Sequence, residues 1–306
     1  MTKIKHFLDL KDIDATDLRL MIDSAREMKA AQKQGRPHAM LNNKKLAMIF
    51  EKSSTRTRVS FESGMFELGG HALNLSANDL QLGRGESIAD TARVLSRMVD
   101  GIMMRANSHD SLTELAQYAD IPIINGLTDQ CHPCQLMADI LTIEEHLGRS
   151  KDITVAWIGD GNNVAHSFIT AAVKFDFTLN LACPAELSPS DDYMHWAASE
   201  NGRITLTTNP EEATQNADVV VTDTWVSMGD TDAEERMGLL TPYQVNETLM
   251  AHAQNNAIFM HCLPAHREEE VTTAVIDGPQ SVIWDEAENR LHAQKAVMEW
   301  CMGGEV

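Results

Sequence analysis

KLAMIFEKSSTRTRVSFESGMFELGGHALNLS, residues 45–76, holds two short apolar runs, KLAMIF (45–50) and HALNLS (71–76), around one segment of helical period. A strand, a helix and a second strand in that order form a βαβ unit, the building block of a parallel sheet. The alternation spreads in both directions. Upstream, DATDLRLMIDSAREMKAAQKQG reads as an opening helix that starts at an acidic cap and stops at Gly35. Downstream come the strand candidates GIMMR (101–105) and IPIIN (121–125), with SIADTARVLSRMV and SLTELAQYA as helices between them. A helix-like bridge follows, PCQLMADILTIEEHLGRSKD, and then the pattern repeats. Its strands are ITVAWIG (153–159), TLNLAC (178–183), ITLTT (204–208), DVVVTDT (218–224) and AIFMHC (257–262), with VAHSFITAAVKF as the helix after the first. The chain closes on SVIWDEAENRLHAQKAVMEWCM, read as a strand and a long amphipathic helix. The expectation is an α/β protein of two parallel-sheet αβα domains, with a boundary near 135–150 and a ligand cleft between the domains.

Composition narrows the function classes. The chain has 306 residues, with 25 Lys and Arg against 45 Asp and Glu, a formal charge of −20. That balance argues against nucleic acid and against anionic lipid as partners, since both need a basic footprint. No apolar run approaches the length of a membrane span, and MTKIKHFLDLKDID lacks the apolar core of a signal peptide. A cytoplasmic protein is expected. Five cysteines, an odd number, do not suggest a disulfide framework.

Six segments are candidates for chemistry. Ser54-Thr55-Arg56-Thr57-Arg58 follows a strand and opens a helix. Free N–H groups, three hydroxyls and two guanidiniums there suit an oxyanion such as phosphate; the plainer alternative is a capping residue followed by solvated arginines. Cys131-His132-Pro133-Cys134-Gln135 invites a zinc or dithiol reading, but the chain offers no second ligand pair for a closed zinc site. His132 and Gln135 sit where both can face one ligand, or simply form a turn. Gly159-Asp160-Gly161-Asn162-Asn163-Val164 is half of a dinucleotide fingerprint, with Val164 in place of the third glycine. Its two asparagines suit a polar ligand such as an amino acid. Asp223 leaves the strand DVVVT and can bind an ammonium group or cap a turn. Cys262, in His261-Cys262-Leu263-Pro264, is a nucleophile candidate or a buried filler. Arg290 in Glu288-Asn289-Arg290-Leu291-His292 is an anion contact or a surface charge.

Together these segments resemble the aspartate/ornithine carbamoyltransferase family over nearly the whole chain. STRTR, QLGRGES, MMR, HPCQ, GDGNNV, DTWVSMG, HCLP and ENRLH occur in that order. STRTR and HPCQ are general to the family; SMG and HCLP resemble its ornithine-using members. The resemblance implies transfer of a carbamoyl group from carbamoyl phosphate to the δ-amine of L-ornithine, a step of arginine biosynthesis or, in reverse, of arginine breakdown. It implies no metal and no cofactor. Residues 1–140 would bind carbamoyl phosphate, with the C-terminal helix (286–306) packing back on them, and 141–285 would bind ornithine. Carbamoyl phosphate would meet Ser54, Thr55, Arg56, Thr57, Arg105, His132, Gln135, Cys262, Leu263 and Arg290, with Gln81 reaching a neighbouring subunit's site. Ornithine would meet Asn163, Asp223, Ser227 and Met228. Arg56, Arg105, His132, Asp223 and Cys262 would carry the catalysis, Arg58 would give outer support, and Leu263–Pro264 would be cis. A homotrimer with shared active sites is implied. Ser53 and Glu269 depart from the family, which usually has Pro and Gly there. The competing readings are another amine acceptor, an NAD-dependent dehydrogenase suggested by GDGNNV, and a non-catalytic phosphate- or amino-acid-binding protein.

Overall fold

The computed structural model describes residues 4–36, 38–76, 85–226 and 233–303. It divides into two units, Met1–Leu141 with Glu288–Val306, and Thr142–Ala287.

In the first unit α1 (Ala15–Lys33) precedes β1 (Lys45–Phe50), α2 (Thr55–Glu67), β2 (His71–Ser76), α3 (Ile88–Leu95), β3 (Gly101–Arg105), α4 (His109–Tyr118), β4 (Ile123–Leu127) and α5 (Pro133–Leu147). The four strands form a parallel sheet in the order β2-β1-β3-β4. β1 pairs with β2 from Lys45 opposite His71 to Phe50 opposite Ser76. Five of the six β1 residues are buried, as expected for a strand covered on both faces. Ala47, Ile49, Ile102, Met104, Leu112 and Ile123 belong to one apolar cluster of this unit. IPIIN enters the sheet two residues later than expected. Pro122 has no N–H to give the ladder, and only its carbonyl is used, by Ile102 N at 2.9 Å.

The second unit contains β5 (Thr154–Ile158), α6 (Asn163–Phe175), β6 (Thr178–Ala182), α7 (Asp191–Ser199), β7 (Ile204–Thr207), α8 (Pro210–Thr214), β8 (Val219–Thr222), α9 (Ala233–Leu240), α10 (Glu247–Met250), β9 (Ile258–His261) and α11 (Thr273–Ile276). Its parallel sheet runs β7-β6-β5-β8-β9. Phe259, Val220, Ala156 and Ile158 share a cluster with Leu249, Val275 and Ile283.

The expected strand SVIW is corrected. Only Ser281 makes a bridge, to Phe259, and the last helix, α12 (Ile283–Met302), already contains Ile283 and Trp284. Ile283 is fully buried and Trp284 is exposed, an alternation that imitates a strand but is one turn of an amphipathic helix.

Candidate active site

Each unit gathers its polar residues at the carboxyl ends of the strands where sheet order reverses, the usual ligand position of such sheets. In the first unit that point lies between β1 and β3. Ser54 caps α2 by accepting a bond from Thr57 N at 3.3 Å, which leaves the helix amino end open. Arg105 ends β3, opposite Phe50 of β1.

Thr57 is the hub of this group. Its buried Oγ1 accepts from Arg290 Nη2 at 3.0 Å and from Arg105 Nη1 at 3.4 Å. Arg290 Nη1 donates to Gln135 Oε1 at 2.9 Å, and Gln135 Nε2 donates to Asp139 at 2.8 Å. Thus Gln135 is a bridge between α5 and Arg290. His132, just before α5, is buried. Burial, then the guanidiniums of Arg290, Arg105 and Arg56, hold its pKa well below the ordinary 6.5. The imidazole is therefore neutral near pH 7 and able to donate one N–H without adding charge. Arg56 is half-buried beside it, and Thr55 is exposed on the first turn.

Arg58 departs from its expected supporting role. It is exposed and pairs with Glu62 at 3.5 Å and with the Asn74 amide on β2. The C-x-x-C is likewise not built for metal. Cys134 bonds the Asn125 carbonyl at 3.3 Å, and burial pushes its thiol up to about 12. Cys131 is turned to the Asn125 amide at 3.3 Å.

In the second unit the reversal lies between β5 and β8. Asn162 caps α6, accepting from Val164 N at 2.9 Å and Ala165 N at 3.1 Å, while its Nδ2 donates to Asp223 Oδ2 at 3.0 Å. Asp223 Oδ1 accepts from Thr224 N at 2.8 Å and from Cys262 Sγ at 3.0 Å. These donors converge on one carboxylate. Asn163 begins α6, partly exposed, with its carbonyl taken by Ser167 at 2.9 Å. Gln81, Ser227 and Met228 lie outside the described residues.

The G-x-G serves packing. A Cβ on Gly161 would stand 2.2 Å from Pro189 N, and Gly159 holds φ +130. Leu263 takes φ +59, costly for a branched side chain at about 1–3 kcal/mol, and the Leu263–Pro264 bond is cis.

Three contributors escape a reading by motif. Asn162, beside the expected Asn163, touches Asp223. Arg236 on α9 pairs with Asp160 and donates to the Trp225 carbonyl at 2.9 Å, bracing the segment that follows Asp223. Gln294, fully buried, accepts from Arg290 at 3.1 and 3.3 Å and donates to Ser60 once its amide is turned to suit both. The signals existed, an N-cap asparagine and polar residues on a buried helix face, but they name no partner.

Residues 5–145 match the family model described as aspartate/ornithine carbamoyltransferase, carbamoyl-P binding domain, and 151–301 match that of the Asp/Orn binding domain. The chain is 57% identical to the ornithine carbamoyltransferase of Agrobacterium fabrum over 303 residues, 99% of each chain. It is 58% identical to that of Rhodopseudomonas palustris over 300 residues, 98% of this chain and 97% of the relative. Among solved structures, ornithine carbamoyltransferase from Pyrococcus furiosus superposes with a TM-score of 0.95 at 51% identity, covering 99% of this chain and 98% of that one.

Proposed function

The chain belongs to the aspartate/ornithine carbamoyltransferase family, and from that premise we infer that it transfers the carbamoyl group of carbamoyl phosphate to the δ-amine of L-ornithine, giving L-citrulline and phosphate. The observation that carries this reading is the donor group around Thr57: two guanidiniums and, beside them, a neutral imidazole, at an open helix amino end. That set suits a phosphate dianion with a carbonyl next to it. The NAD reading loses its support, because the glycines are explained by packing and the chain falls in a transferase family.

The site roles proposed here follow from the chemistry. Ser54, Thr55, Arg56, Thr57 and Arg105 hold the phosphate, with residues 1–141 and 288–306 as the carbamoyl phosphate-binding part. Arg105 and His132 donate to the carbamoyl oxygen, where charge grows as the amine adds; neutral His132 supplies a hydrogen bond without competing for the phosphate. Arg290 and Gln135 aim these groups through Thr57 and Asp139, and Cys262 and Leu263 border both substrates. Residues 142–287 take ornithine. Asp223 binds its α-ammonium, Asn163 orients the backbone-like end, and Ser227 and Met228 complete the pocket. A carboxylate stabilises a charged amine, so it belongs at the α-amine and not at the attacking δ-amine. That amine must lose a proton, which costs about 4–5 kcal/mol at pH 7 for a lysine-like pKa near 10.4. The departing phosphate accepts the proton from the adding amine, so no protein base is required. No metal or cofactor enters the proposed reaction.

A homotrimer with shared sites is also proposed. Val59 and Phe66 stand seven residues apart on the outer face of α2, and Phe66 is 81% exposed. A second copy covering this apolar face is consistent with such an assembly, and Gln81 is the residue proposed to reach the neighbouring subunit's site. Among the described residues no helix is long and apolar enough to cross a membrane. The cytoplasm is the proposed compartment, and the charge of −20 disfavours nucleic acid as a partner. Binding of carbamoyl phosphate by Arg105→Met tests the phosphate reading: no loss of affinity would remove it.

A further inference from the structure

We propose that Glu270 and His261 are positioning residues that hold the Cys262–Leu263 segment in its reactive arrangement. Both side chains are fully buried. Glu270 Oε1 accepts from the His266 backbone N–H at 2.6 Å and faces His261 Nε2 at 3.1 Å. One carboxylate oxygen thus fastens both ends of residues 261–266. His261 Nδ1 accepts from Leu263 N at 2.9 Å. A backbone nitrogen is always the donor, so Nδ1 carries no proton and the ring proton sits on Nε2, aimed at Glu270. A second buried carboxylate, Glu286, takes His261 N at 2.9 Å.

The held segment carries backbone strain. Leu263 has a left-handed φ of +59, which persists only where surrounding bonds over-determine it. Its N–H is committed to the His261 ring, and the ring to Glu270. On the other side of the same turn, Cys262 Sγ donates to Asp223 at 3.0 Å. Glu270 therefore sets, through His261, the backbone that presents the thiol to the carboxylate proposed to bind ornithine. Neither Glu270 nor His261 needs to touch a substrate.

The proposal rests on the placement of Cys262 and Leu263 at the reaction, so its test includes a readout independent of turnover. Cys262 is the one cysteine of five that is not buried, and alkylation by iodoacetamide reports on its setting. In Glu270→Met the acceptor is gone. Turnover should fall at least 20-fold, with KM for carbamoyl phosphate within threefold of the parent, and the alkylation rate should change at least fivefold. Glu270→Gln keeps an oxygen for both N–H groups and should restore both properties to within threefold of the parent. If Glu270→Met does not fold, the His261 pair decides. His261→Asn keeps an acceptor for Leu263 N, whereas His261→Gln reaches only towards Glu270, so the Asn variant should turn over at least tenfold faster. A folded Glu270→Met with unchanged turnover and alkylation overturns the proposal, as does a Gln variant of His261 that matches or exceeds the Asn variant. Altered alkylation with unchanged turnover would also overturn it, by removing this segment from the reaction.

Discussion

Replacing Thr57 by Val keeps the shape of a buried side chain and removes one oxygen. That oxygen accepts from Arg290 at 3.0 Å and from Arg105 at 3.4 Å. A hydrogen bond from a charged donor contributes about 1.5–3 kcal/mol, and a long one contributes at the low end or below. The Arg290 bond and part of the Arg105 bond together give about 2–3 kcal/mol of positioning. If that positioning is expressed at the transition state, kcat/KM for carbamoyl phosphate falls about 30- to 150-fold. Steady-state kinetics with each substrate varied in turn reads this directly. KM for ornithine should change less than threefold, because Asp223 and its donors belong to the other unit. Thr57→Ser, which retains the oxygen, should stay within about fivefold of the parent. A Val variant with kcat/KM within threefold of the parent would show that the two arginines are aimed without this hub, and the argument would fail.

Asp223→Asn should lower kcat/KM for ornithine at least 100-fold while calorimetry shows carbamoyl phosphate still bound; equal loss of both would contradict separate half-sites. Arg236→Met removes the guanidinium that pairs with the mostly buried Asp160 carboxylate and should destabilise by about 3 kcal/mol in urea, since breaking a buried pair typically costs about 3–5 kcal/mol. A change below about 1 kcal/mol would show the pair to be solvated. His292 is held neutral, with its pKa pushed down to about 3 by burial and then by Lys295, Lys29 and Lys33. The unfolded chain protonates below pH 6.5 and the folded one does not, so stability is lost as pH falls from 6.5 towards 3. At pH 4.5 the loss is about 2–3 kcal/mol, and His292→Gln should flatten that slope; denaturation curves with equal slopes in both proteins would refute it.

The turns that carry the candidate residues were legible in the sequence because their signals are local. STRTR and HPCQ each sit at a strand-to-helix turn, and both turns appear at the ends of β1 and β4. Both sheets were legible too, since buried parallel strands are plain apolar runs. What joins the residues was not. Thr57 meets Arg105, and Arg290 meets both Thr57 and Gln135, across separations of up to 233 residues, and no periodicity encodes such pairings. Both asparagines stood out by their motif, but the motif did not show that Asn162 holds Asp223, which it does because a cap residue faces back along the strand end. Arg58 was expected to give outer support to Arg56. Two steps along a helix turn a side chain by about 200°, which takes Arg58 to Glu62 and the surface.

Carbamoyl phosphate offered with L-ornithine, L-aspartate and putrescine in parallel tests the central claim most directly. The account predicts carbamoylated product from ornithine, identified as citrulline, at a rate at least 100-fold above either of the other amines. Equal or faster product from putrescine or aspartate would contradict it, and so would the absence of product from ornithine.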